Sequence, residues 1–192
     1  MSISIKYNNE LGKEISYSKA SKLQEYFKVF LENNTPIKEE RYQKGLLVDT
    51  SFYVTSQSQI DTILLTNPGV SFEYEYLVNG HRIKEYLSYN DNVLADKRVL
   101  VYNSLDETIC YCRYKLEGTI FIPEETEKYY YENGELKYKF DYLNNDGTLY
   151  MIYDEVFYQS DIYPEDIGNT EITNFSWAGF EYYQNALPIL PL

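Results

Sequence analysis

The chain alternates between apolar and polar positions over most of its length. Residues Ser2–Tyr7 place Ile3, Ile5 and Tyr7 on one side and Ser2, Ser4 and Lys6 on the other, the period-two pattern of a half-buried strand. Asn8-Asn9 breaks it. From Lys19 to Asn33 the spacing changes. Ala20, Leu23, Tyr26, Phe27, Phe30 and Leu31 recur three and four apart, which predicts an amphipathic helix capped by Ser18 and stopped at Asn33-Asn34 before Pro36. Leu46–Val54 reads as strand. Ser58–Leu65 fits a short helix or a buried strand equally well.

Two hairpins are encoded more sharply. Asn79-Gly80 and Asn133-Gly134 are the preferred residues of a two-residue type I′ turn. Around the first, Tyr76 is set to face Ile83 and Glu75 to face Lys84. Around the second, Tyr129 and Tyr131 share a side with Leu136, Tyr138, Phe140 and Tyr142. The other side then holds Lys128, Tyr130, Glu132, Lys137, Lys139 and Asp141. Further strands are expected at Arg98–Asn103, Thr108–Leu116, Thr119–Ile122 (ended by Pro123) and Thr148–Glu155. Ser176 could cap a short helix carrying Trp177, Phe180, Tyr183 and Leu187, although Gly179 weakens it. The apolar end Ala186–Leu192 is expected to dock on its own domain.

These elements predict an α+β fold: a largely antiparallel β-sheet of about eight to ten strands, with the Lys19–Asn33 helix packed on one face. A length of 192 residues fits one domain over 1–192, with a less regular acidic region from about residue 156.

Charge sharpens the picture. Residues 1–44 carry a net +2 and residues 45–139 a net −6. Residues 140–192 hold nine acids and no Lys or Arg, giving −9 of the total −13. Such a chain repels phosphate backbones and anionic lipid, so nucleic-acid and membrane partners are excluded, and a basic protein would be attracted. The N-terminus lacks the features of a secretory signal. Cys110 and Cys112 are i, i+2 neighbours that fit buried thiols better than a disulfide, which points to the reducing cytoplasm.

Catalytic chemistry finds little support. His81 is the sole histidine and follows a hairpin turn directly, opposite Val78. The glycines are scattered, so no phosphate loop is encoded. A calcium loop aligned on Gly147 would need acids where Tyr142 and Tyr153 stand. Glu124, Glu125, Glu127, Asp154 and Glu155 offer carboxylates for acid–base work, but no sequence feature marks an unusual environment. No cofactor is expected. The remaining signal is tyrosine, 23 residues of it, a side chain suited both to strands and to protein interfaces. Tyr150, Tyr153, Tyr158, Tyr163, Tyr182 and Tyr183 fall in the stretch without a cation.

The run Tyr130-Tyr131-Glu132-Asn133-Gly134-Glu135-Leu136-Lys137-Tyr138 resembles one unit of bacterial MORN-type repeats. More broadly, the chain resembles the immunity proteins of bacterial polymorphic and contact-dependent toxin systems, which are small, acidic, Tyr-rich and cytoplasmic. That resemblance implies a non-catalytic protein that neutralises a toxin domain by occluding its active site. The expected contact residues, read from charge and aromatic content, are Asp154, Glu155, Asp161, Tyr163, Glu165, Asp166 and Trp177. The alternatives are a β-barrel or sandwich around a small apolar ligand, and a hydrolase using paired carboxylates.

Overall fold

The computed structural model describes residues 2–144, 146–154 and 161–191. Strands dominate: β1 (Ile3–Asn8), β2 (Glu14–Ile15), β3 (Glu25–Glu32), β4 (Thr35–Gln43), β5 (Leu46–Val54), β6 (Ser71–Val78), β7 (His81–Asn90), β8 (Val93–Tyr102), β9 (Thr108–Glu117), β10 (Ile120–Glu132), β11 (Glu135–Tyr142) and β12 (Leu149–Asp154). The helices are α1 (Tyr17–Ala20) and α2 (Gln57–Leu64), with 3-10 turns at Pro164–Asp166 and Glu181–Tyr183. The twelve strands form one sheet in the order β12-β11-β10-β9-β8-β7-β6-β5-β4-β3-β1-β2. The fold is therefore mainly β, with more strands than the eight to ten expected, and the α+β assignment is corrected. The order is linear.

The largest correction is the helix expected over Lys19–Asn33. Its first residues make the single turn α1, and the rest is β3. Tyr26 and Val29 are buried and Phe27, Phe30 and Leu31 half-buried, so the run covers both of its sides and does not present one stripe. Its aromatic and β-branched content favours the pleated form. The Asn33-Asn34 stop is a hairpin turn, with φ of 51° and 66°. Lys44-Gly45, Asn79-Gly80, Asp91-Asn92 and Asn133-Gly134 repeat the device, with both central residues at positive φ as a type I′ turn requires. β5 and β6 run parallel, and α2 makes the crossover between them.

By its contacts the chain divides into two compact units, residues 1–75 with 85–95 and residues 76–84 with 96–192. In the first unit α2 seats Ile60, fully buried, among Val54, Val70, Phe72 and Leu87. Ser56 caps this helix by accepting from the Gln59 amide.

In the second unit one face of β8–β12 is covered by the C-terminal segment. Register pairs Val99 with Cys112, Cys112 with Thr126, Lys128 with both Cys110 and Phe140, and Phe140 with Ile152, so these side chains share that face. Phe175, Ala186 and Ile162 close over it. Ile189 and Leu190 pack against Ile83, Val99 and Val101.

The second hairpin differs from its expected facing. A bulge between Tyr130 and Tyr131 slips the register by one residue. Lys128 and Tyr130 therefore join Tyr138, Phe140 and Tyr142 on the buried side, and Tyr129 moves to the polar side. A second bulge lets β10 run through Pro123, where the sequence predicts a stop, because the missing N–H falls at an irregular position. The helix expected from Ser176 reduces to the 3-10 turn Glu181–Tyr183.

The slip buries an ammonium. Lys128 is fully buried, and its Nζ donates to the Tyr182 carbonyl at 2.7 Å and the Asn185 carbonyl at 2.8 Å. It also lies 3.8 Å from the Tyr182 ring centroid. Desolvation lowers its pKa to about 8. Tyr142 extends the strap by donating its hydroxyl to the Tyr183 carbonyl at 2.7 Å. The C-terminal segment is thus fastened by polar side chains reaching up from the sheet, in addition to its apolar contacts.

Candidate functional site

Two features of the second unit carry exposed chemistry. The first is the segment following β12. Ile152 and Ile162 exchange both backbone hydrogen bonds, at 3.0 and 2.8 Å, so residues 161–163 lie antiparallel against β12. Continuing that register sets Asp161 opposite Tyr153, whose hydroxyl pKa is raised by burial first and by Asp141 and Asp161 in addition. Pro164 then opens a 3-10 turn whose fixed φ suits its first position. Asp161, Tyr163 and Glu165 are exposed and Asp166 is half-buried, with Tyr163 keeping 45% of its surface. These four expected residues fall in six consecutive positions on backbone held to the sheet.

The other three are placed differently. Asp154 ends β12, half-buried and opposite Tyr138. Glu155 lies outside the described residues, as does Tyr158. Trp177 is packed against the core, its ring edge-on to Phe175 at 5.4 Å. The neighbouring rings Phe180 and Tyr183 also face inward, Tyr183 stacking on Phe140 at 4.5 Å. Trp177 therefore belongs to the packed cluster, and among the described residues from 140 onward the exposed large rings are Tyr163 and Tyr150.

The second feature is the polar face of β8–β12, made legible only by the register slip. Lys139 Nζ lies 2.6 Å from Glu127 and 3.3 Å from Asp141, which are cross-strand partners. The Tyr129 hydroxyl donates to Glu127, and burial followed by that carboxylate drives the Tyr129 pKa up. Burial also raises Asp141 against the opposing pull of Lys139. Nearby, Arg113 bridges Asp96 and Glu124 at 3.3 and 3.8 Å. An open cleft runs beside this network along Glu124, Glu125, Asp141 and Tyr150. A tighter pocket of about 380 Å³ lies between Pro123, Leu143 and Ala186.

A hydrolytic carboxylate pair needs open space between its members for substrate and water. Here an ammonium bridges Glu127 and Asp141, which makes the group an ion-pair network. Cys110 and Cys112 are buried free thiols, and desolvation pushes Cys110 up to about 12. Among the described residues no three His, Cys, Asp or Glu side chains are placed to hold a metal ion, and no helix is long and apolar enough to cross a membrane.

Sequence reasoning found the acidic segment through its charge. It missed Lys128 and Tyr129 because the bulge that turns them over leaves no mark in the hydrophobic pattern. Comparison with protein-family models, with curated proteins and with solved structures finds no match.

Proposed function

We propose that this is a non-catalytic binding domain that inhibits a basic bacterial toxin domain, covering the toxin's active site with its acidic C-terminal segment. The observation carrying this reading is the fixed presentation of Asp161, Tyr163, Glu165 and Asp166 on backbone tied to β12. Preorganised backbone reduces the ordering cost of binding. The acids steer a cationic partner, and Tyr163 supplies the ring that is desolvated on contact. The nearest cation in sequence, Lys139, is already engaged by Glu127 and Asp141, so it does not neutralise the segment. Asp154 at the end of β12 adds a carboxylate beside the segment, Glu155 is a further expected contact that lies outside the described residues, and Trp177 packs on Phe175.

The test is co-purification from the native host, then kinetics of the complex with the toxin domain across ionic strength. Neutralising the segment (Asp161→Asn, Glu165→Gln, Asp166→Asn) is expected to slow association about tenfold or more at low salt and to flatten its salt dependence. Association that is indifferent to both salt and the triple substitution overturns the proposal.

A further inference from the structure

The outer edge of β1 is the least protected feature of the first unit. Its inner edge pairs with β3 along Ile3–Asn8, but β2 covers its outer edge only at Tyr7 and Asn8. Among the described residues no strand pairs with the outer edge over Ile3–Lys6. Ile3 and Ile5 keep 60% and 48% of their surface exposed. Ile3 also walls an apolar groove with Phe30, Phe52, Val54 and Ile63. Natural sheets blunt such edges with charge, proline or bulges, and residues 2–5 carry none of these.

We propose that this edge pairs with the same edge of a second copy of the chain, giving a two-fold symmetric dimer with a sheet continuous across the interface. The sequence of the edge selects this occupant. Ser2-Ile3-Ser4-Ile5-Lys6 is self-complementary about Ser4. An antiparallel two-fold there sets Ile3 opposite Ile5 of the second copy, twice, with Ser4 opposite Ser4 and Lys6 opposite Ser2. Shifting either strand by one residue sets isoleucine against serine and turns the apolar side outward. A two-residue slip of register toward Lys6 centres the two-fold on Ile5 and sets Ile3 against Tyr7, which β2 already holds. Ile5 of the second copy then stands beside Ile3 and lengthens the wall of the groove. Charge permits the approach. Residues 1–44 carry a net charge of only +2 in a chain of −13, so the segment that holds this edge lacks the acidic excess of the rest. The two Lys6 side chains stand four residues apart along the ladder, about 13 Å, beyond the screening length of about 8 Å at physiological salt.

The interface is short, so association belongs at the weak end of specific contacts. It is read by sedimentation equilibrium of the full chain between about 10 µM and about 1 mM. The wild type is expected to approach twice the monomer mass as concentration rises. Ile3→Lys and Ile5→Glu, each alone, set a charge against isoleucine and are expected to weaken self-association tenfold or more. Combining the two substitutions sets the introduced ammonium opposite the introduced carboxylate of the second copy at both ends, and the double variant is expected to regain association. Because both positions are exposed, Trp177 fluorescence should be unchanged in all three variants. A wild type that stays monomeric at the highest concentration overturns the proposal. So does a dimer that survives both single substitutions, or a double variant that does not recover.

Discussion

Lys128 offers the sharpest check on how the C-terminal segment is held. Its ammonium is fully buried and is met by the Tyr182 and Asn185 carbonyls and the Tyr182 ring. Burial moves its pKa from an ordinary 10.5 to about 8, which corresponds to about 3 kcal/mol of differential cost for the charged form. Below pH 8 folded and unfolded chains both hold the proton, and stability is independent of this group. Between pH 8 and 10.5 the unfolded chain keeps a proton that the folded chain has released, so stability rises with pH. The neutral amine still donates to both carbonyls. Other groups slope the opposite way. Desolvation holds the Cys110 thiol up at about 12 and raises Tyr142, Tyr182 and Tyr183, so these favour the unfolded chain as it ionises. A comparison of wild type with Lys128→Met cancels the three tyrosines, on which Lys128 does not act, and the Cys110 thiol, which Lys128 pulls down, stays protonated in both folded proteins at pH 10. Urea unfolding followed at Trp177, the single tryptophan, should show the wild type gaining about 2 kcal/mol on the variant between about pH 7.5 and pH 10. A stability difference that is the same at both pH values would refute the buried, desolvated ammonium.

Two further substitutions probe the same segment. Gly147 has a φ of 72°, and a Cβ there would stand 3.1 Å from the Ala186 Cβ. Gly147→Ala should therefore cost about 1–3 kcal/mol by urea unfolding, and more than Gly134→Ala, where φ is 80° but the nearest atom is a side-chain oxygen at 3.9 Å; equal losses would count against close docking at Ala186. Phe140 is fully buried beneath Phe175, Phe180 and Tyr183. Phe140→Ala should cost about 3–5 kcal/mol and shift Trp177 emission to the red, and a loss under about 1 kcal/mol would place the segment elsewhere.

The chain signals its turns more clearly than its faces. Asn79-Gly80 and Asn133-Gly134 are legible because only a few residues tolerate positive φ at both central positions. Asn33-Asn34 carries the same information but follows a run whose three-and-four spacing imitates a helix. A strand covered on both sides has no need of strict alternation, so periodicity alone cannot separate the two. The bulges at Tyr130/Tyr131 and at Pro123 are set by how neighbouring strands fit, and a local pattern does not record them. Their consequence is large. A lysine that reads as solvent-facing lies in the core, and Tyr129 reaches the ion-pair network of Glu127, Lys139 and Asp141. The acidic segment was legible because charge needs no register. The inward packing of Trp177 was not, since an aromatic ring in a loop can serve a core or an interface equally well.

The central claim is that residues 161–166 form the docking surface. Backbone hydrogen–deuterium exchange on the purified complex, compared with the free protein, tests it most directly. Exchange is expected to slow at Asp161, Tyr163, Glu165 and Asp166 in the complex, with the sheet beneath unchanged. Unaltered exchange across that segment, with new protection confined to other surfaces, would contradict it.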